Sequence, residues 1–85
     1  MGLMSYTFKS PVDTETTIKA INKVVSSMGG RTKRDGNVII AWLMKQGILP
    51  QRFTFFVRSD NVKVVTRGSL FDVCNKILTE LKEVC

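Results

Sequence analysis

Histidine is absent from the 85 residues, which removes the commonest general base, metal ligand and catalytic-triad partner. Cysteine occurs twice, as Cys74 and Cys85, and without histidine or a CxxC spacing the pair does not make a zinc site. The seven carboxylates are scattered. Asp13 and Asp72 read as helix caps, Asp35 and Asp60 as turn residues, and Glu15, Glu80 and Glu83 as solvated helix positions, so no two pair for acid–base work. The sequence leads us to expect no catalytic activity, no cofactor and no metal. Long hydrophobic runs are missing as well. The longest runs from Val38 to Met44, far short of the roughly eighteen residues of a membrane span. The opening MGLMSYTF has neither a basic leader region nor a long apolar one. Tyr6 stands where myristoylation needs Ser or Thr, and Cys85 is terminal rather than fourth from the end.

The two thiols lie eleven residues apart in one expected helix, about 16 Å at the helical rise. A disulfide needs α-carbons within about 7 Å, so they cannot bond to each other. Two unpaired thiols fit a reducing compartment, and we expect a cytoplasmic protein. Cys74 falls on an apolar helix stripe and reads as a buried structural thiol.

The remaining composition is that of a folded soluble chain, 44% hydrophobic and 24% charged. Its length makes one domain, residues 1–85, around one core. From Asp13 to Met28 the apolar positions Ile18, Ile21, Val25 and Met28 mark one helical face, with Asp13 as N-cap and Glu15 in the first turn. Gly29 and Gly30 then end the helix. In the stretch GGRTKRDGN that follows, Asp35-Gly36 reads as a two-residue type I′ turn. It joins a polar strand, Arg31 to Arg34, to VIIAWLM. Pairing Arg34 with Asn37 sets Lys33 opposite Val38 and Arg31 opposite Ile40.

After QGILP, in which Ile48 and Leu49 are expected as exposed loop residues or as a loop packed on the core, RFTFFVR and VKVVTR form a second hairpin about Asp60-Asn61. This register sets Arg58 against Lys63, Phe56 against Val65 and Thr54 against Arg67, while Phe53, Phe55, Val57, Val64 and Thr66 share the other face. The chain closes with a helix opened by Ser69 and Asp72, whose stripe is Leu70, Cys74, Ile77, Leu81 and Val84. Tyr6 and Phe8 alternate with Thr7 and Lys9 in a first strand.

The order strand, helix, four strands, helix specifies a two-layer α+β domain, one antiparallel curved sheet with two helices on one face. This order of elements resembles the TATA-binding-protein-like fold, which also includes helix-grip ligand-binding domains. The resemblance spans nearly the whole chain and rests on element order; neither family's motifs are present, and a fold does not assign a function.

Charge is unevenly placed. Residues 29–68 hold Arg31, Lys33, Arg34, Lys45, Arg52, Arg58, Lys63 and Arg67 against Asp35 and Asp60, an excess equal to the whole net charge of +6. With Thr32, Ile39, Ala41 and Leu43 turned toward the helices, the opposite face carries Arg31, Lys33, Arg58, Lys63 and Arg67. These surround an apolar centre of Val38, Ile40, Trp42, Met44, Phe56 and Val65. The reverse orientation of VIIAWLM would make Trp42 a core residue. A contiguous apolar patch marks an interface or a groove.

Three uses follow for this face. The first is self-association to a homo-oligomer, by two apolar faces closing or by an edge strand pairing across a two-fold axis, and this is the leading expectation. The second is nucleic-acid binding, with the cations on phosphates and Trp42 or Phe56 stacked on bases. QRFTFFVRS, however, lacks the glycines of the RNA-recognition consensus, and the element order differs from that module. The third is a small apolar ligand with an acidic head between the sheet and the second helix, its carboxylate on Arg52 or Arg67. The candidate binding face is Arg31, Lys33, Trp42, Phe56, Arg58, Lys63 and Arg67. GGRTKRDGN itself is not a phosphate loop, since its glycines follow a helix and precede a strand.

Overall fold

A computed structural model describes residues 3–44, 50–67 and 71–84. In chain order the elements are β1 (Leu3–Lys9), α1 (Thr14–Ser27), β2 (Arg31–Asp35), β3 (Val38–Met44), β4 (Pro50–Val57), β5 (Asn61–Arg67) and α2 (Phe71–Val84). The five strands form one antiparallel sheet in the order β1-β5-β4-β3-β2. The expected α+β architecture is the observed one. Among the described residues no helix is long and apolar enough to cross a membrane. Ile48, Leu49, Ser69, Leu70 and Cys85 lie outside the described residues, as do the side chains of Met44 and Val84.

Helix α1 begins where local chemistry requires it. The Asp13 carboxylate accepts the Thr16 amide at 3.1 Å, and the Asp13 carbonyl accepts both the amide and the hydroxyl of Thr17. Hydrogen bonds from Thr16 hold the Asp13 carboxyl below its ordinary range. At the other end Gly30 donates to the Val25 carbonyl at 2.9 Å and Gly29 to Ser26 at 3.0 Å, the paired bonds of a Schellman cap. The two glycines do different jobs. Gly29 takes φ +78°, a conformation that penalises any residue with a Cβ. Gly30 has no positive φ; a Cβ there would stand 2.6 Å from the Trp42 carbonyl oxygen and 2.8 Å from Val25 Cγ1, and would press on Leu43. The second glycine lets the helix end sit against β3.

Both hairpins depart from the expected register by two residues. Asp35 is the last strand residue of β2 and faces Val38, so Lys33 lies opposite Ile40 and Arg31 opposite Trp42. Gly36, at φ +60°, and Asn37 make the turn. In the second hairpin the Arg58 amide donates to the Asn61 carbonyl at 2.8 Å, Ser59 and Asp60 make the turn, and Phe56 faces Lys63 while Thr54 faces Val65. The physical reason is tertiary. The Asn37 carbonyl accepts the Val57 amide of β4, and the Asp60 carbonyl accepts the Ser10 amide just past β1. A two-residue slip keeps every side chain on its original face.

The core lies between the sheet and the helices. Ile39, Ala41, Leu43, Phe53, Phe55, Val57, Val62 and Val64 are buried on the inner sheet face against Ile18, Ile21 and Val25 of α1 and Cys74, Ile77 and Leu81 of α2. Ala20 and Val24 are buried in addition to the expected stripe of α1, because α1 packs on α2 as well as on the strands. Glu15 and Glu80 are not merely solvated. Arg34 grips Glu15 with two bonds of 3.0 and 2.6 Å, and Lys23 reaches Glu80 on α2 at 2.9 Å.

Candidate functional site

The sheet face away from the helices is assembled by cross-strand register. Reading across the strands, Arg31, Trp42 and Arg52 form one row, and the pair Arg67 and Leu3 lies at the same end of the sheet, one step past the last β4–β5 pair, Phe53 and Thr66. The next is Lys33, Ile40, Thr54, Val65 and Ser5, and the third is Asp35, Val38, Phe56, Lys63 and Thr7. Arg58, Asn61 and Lys9 continue the same parity at the turn end. Residues directly opposite on such a face have Cβ atoms about 4.5–5.5 Å apart, so Trp42 stands between two arginines, Arg31 and Arg52.

Exposure agrees with this assignment. Val38, Ile40, Trp42 and Val65 are half-buried, Phe56 is exposed, and Arg31, Lys33, Arg52, Arg58, Lys63 and Arg67 are exposed. Their alternates Ile39, Ala41, Leu43, Phe53, Phe55 and Val64 are buried. Trp42 is therefore outside the core, and the seven candidate residues share one face. Sequence reasoning assigned Arg52 to a ligand head group and missed its position beside Trp42; its parity with Thr54 and Phe56 carried that signal.

The ends of β4 and β5 are pinned where two of the arginines project. The buried Thr66 hydroxyl donates to the Arg52 carbonyl at 2.6 Å, and the Gln51 amide donates to the Thr66 hydroxyl and the Arg67 carbonyl at 3.2 and 3.1 Å. A depression of about 480 Å³ opens beside them, lined in part by Leu3, Arg52, Thr54, Val65 and Arg67. Among the described residues, Arg52 and Arg67 have no ion-pair partner.

The charge is polarised between the two layers. Among the described residues, Lys9, Arg31, Lys33, Arg52, Arg58, Lys63 and Arg67 on the open face stand against Asp35 and, at the turn end, Asp60, whose carboxylate accepts the Asn61 side-chain amide at 3.2 Å. On the helical side five cations, Lys19, Lys23, Arg34, Lys76 and Lys82, balance Asp13, Glu15, Asp72, Glu80 and Glu83. Arg34 belongs to the helical side because its strand parity turns it to Glu15, whose bonds raise the Arg34 pKa and hold the Glu15 carboxyl below its ordinary range.

A second hollow, of about 680 Å³, lies between α2 and the Lys9 end of β1, lined by Lys9, Ser10, Pro11, Asp60, Leu78, Leu81 and Lys82. Arg52 and Arg67 are on the opposite face and at the other end of the sheet, so the expected carboxylate contact from either of them is not available there. Among the described residues no group of three potential ligands gathers for a metal ion. Cys74 is buried in the core and its thiol is pushed up to about 11 by desolvation, the behaviour of an inert packing residue. No protein-family model matches the chain, and no curated protein or solved structure matches it.

Proposed function

We propose that this protein is a non-enzymatic binding module whose open sheet face holds single-stranded nucleic acid. The observation that carries the reading is Trp42 between Arg31 and Arg52, with Arg67 at the same end of the sheet, on a face where seven cations stand against Asp35 and the turn residue Asp60. Single strands are held by such a combination, in which cations follow the phosphates and aromatic faces stack on bases. Phe56, two rows away, offers a second stacking surface. The free thiol of Cys74 favours the cytoplasm as the place of action.

The same charge argues against closure of two open faces on each other. Such a dimer would set seven cations, with only Asp35 and Asp60 to offset them, against an identical set, and like charges brought opposite one another are destabilising.

The test is the salt dependence of oligonucleotide binding. If Arg31, Lys33, Arg52, Lys63 and Arg67 each neutralise one phosphate, the slope of log K against log salt is about −3.5 for a single strand. Replacing Arg52 and Arg67 together by Gln is expected to reduce its magnitude by about 1.4. A flat salt response, or an unchanged slope in the double variant, would remove the reading.

A further inference from the structure

The two edges of the sheet are built differently. β2 ends the sheet with Arg31, Lys33, Arg34 and Asp35, the charged composition by which proteins block edge pairing. β1 ends it with LMSYTFK, seven residues with one charge, at the last position. On this strand Leu3 is 67% exposed, Met4 53% and Tyr6 44%. Met4 and Tyr6 belong to the inner face, since they lie opposite Thr66 and Val64, yet the helices leave them uncovered.

The free backbone groups of β1 can be assigned. The Ser10 amide donates to the Asp60 carbonyl, and antiparallel pairs alternate between bonded and non-bonded, so Phe8, Tyr6 and Met4 spend their backbone groups on β5. The Arg58 to Asn61 bond agrees, because it turns the groups of Asn61, Lys63 and Val65 toward β4. The amides and carbonyls of Leu3, Ser5, Thr7 and Lys9 therefore face the open edge.

We infer that a second copy of this chain adds across β1, antiparallel and centred on Tyr6, to make one ten-stranded sheet. This register uses all seven residues. Leu3 lies opposite Lys9 of the partner and Ser5 opposite Thr7, joined through the free backbone groups; Met4 lies opposite Phe8 and Tyr6 opposite Tyr6. The apolar inner residues cover one another, Ser and Thr meet on the outer face, and the two Lys9 side chains stay about six residues apart, roughly 20 Å at the rise of a strand. A foreign strand would have to supply the same pattern, whereas a second copy carries it by symmetry. The outer rows also become continuous. Arg31, Trp42, Arg52, Arg67 and Leu3 run on into the partner's Lys9. That consequence rests on the proposed binding role; the dimer itself does not.

The experiment is sedimentation equilibrium at submillimolar protein without nucleic acid, in a Cys85→Ser background, because the pairing of one strand belongs to the weak class of interfaces. The parent is expected to be dimeric. Tyr6→Lys and Tyr6→Glu each place like charges across the two-fold axis, where α-carbons are about 4.5 Å apart, and each alone is expected to be monomeric with an unchanged far-ultraviolet spectrum. Mixed in equal amounts, they are expected to form a heterodimer. Ser5→Pro, which removes only a free-edge donor, is expected to be a folded monomer. A monomeric parent, dimers of either charged variant alone, or a mixture that stays monomeric would overturn the inference. Oligonucleotide binding failing while these results hold would count against the binding role alone.

Discussion

Replacing Gly30 by Ala puts one methyl group into the junction between α1 and β3. That methyl would lie 2.6 Å from the Trp42 carbonyl oxygen and 2.8 Å from Val25 Cγ1, with Leu43 also in the way. The Leu43 and Val25 side chains can turn aside, but the carbonyl belongs to the sheet backbone, so either the helix end or the strand must move. Forcing an extra methyl group into packed structure costs roughly 1 to 3 kcal/mol, and the stiffer unfolded chain offsets roughly 0.4 to 1 kcal/mol of that loss. We therefore take about 1.3 kcal/mol as the net loss, equivalent to a fall in Tm of about 5 to 10 °C for a domain of this size. The assay is thermal unfolding followed by circular dichroism, with Gly29→Asn as the control. Asn tolerates the left-handed conformation, and the space around Gly29 is empty, so the control is expected to lose less than the Gly30 variant. A Gly30→Ala protein that melts with the parent, or a control that loses more, would refute the close approach of α1 to β3.

Trp42→Ala is expected to cost less stability than Phe55→Ala, which removes a fully buried side chain and should lose roughly 3 to 5 kcal/mol; urea unfolding of the two variants measures the difference. The Glu15 carboxyl is lowered by its bonds from Arg34, so its contribution is present above the unfolded carboxylate pKa and is lost as pH falls through the lower folded value. Glu15→Gln is accordingly expected to flatten the acid side of the stability profile. Lys23, raised by its bond to Glu80, acts with the opposite sign, its contribution being present below the unfolded lysine pKa and lost as pH rises through the folded one. The buried Cys74 thiol, at about 11, is expected to react with a thiol reagent at neutral pH only at the rate of unfolding, as measured in the Cys85→Ser background.

The alternation of residues in RFTFFVR was enough to assign its two faces, because any two-residue turn preserves face even when its position is wrong. VIIAWLM, by contrast, is apolar on both faces and left open which side of β3 is buried; the packing of Ile39, Ala41 and Leu43 against the helices decides it. The turns themselves were not legible. Asp35-Gly36 and Asp60-Asn61 carry strong local signals, yet the carbonyls of Asn37 and Asp60 are bound by Val57 of β4 and by Ser10 beyond β1, partners remote in sequence. The stop at Gly29 was visible locally, whereas the reason for Gly30 depends on β3 lying against it. Arg52 was misplaced because it was read as a lone charge rather than by its parity with Thr54 and Phe56. Arg34 shows the converse, since its charge belongs to Glu15 on the helix and adds nothing to the open face.

Trp42 is the single tryptophan of the chain and lies on the proposed contact face, so its fluorescence reports directly on an oligonucleotide bound there. Titration with a single-stranded thymidine oligonucleotide at low salt is expected to quench the emission saturably, with the quench reversed by added salt and the midpoint moved to higher concentration by the double substitution of Arg52 and Arg67 to Gln. Emission that is unchanged by the oligonucleotide at low salt would contradict a nucleic-acid-binding sheet face.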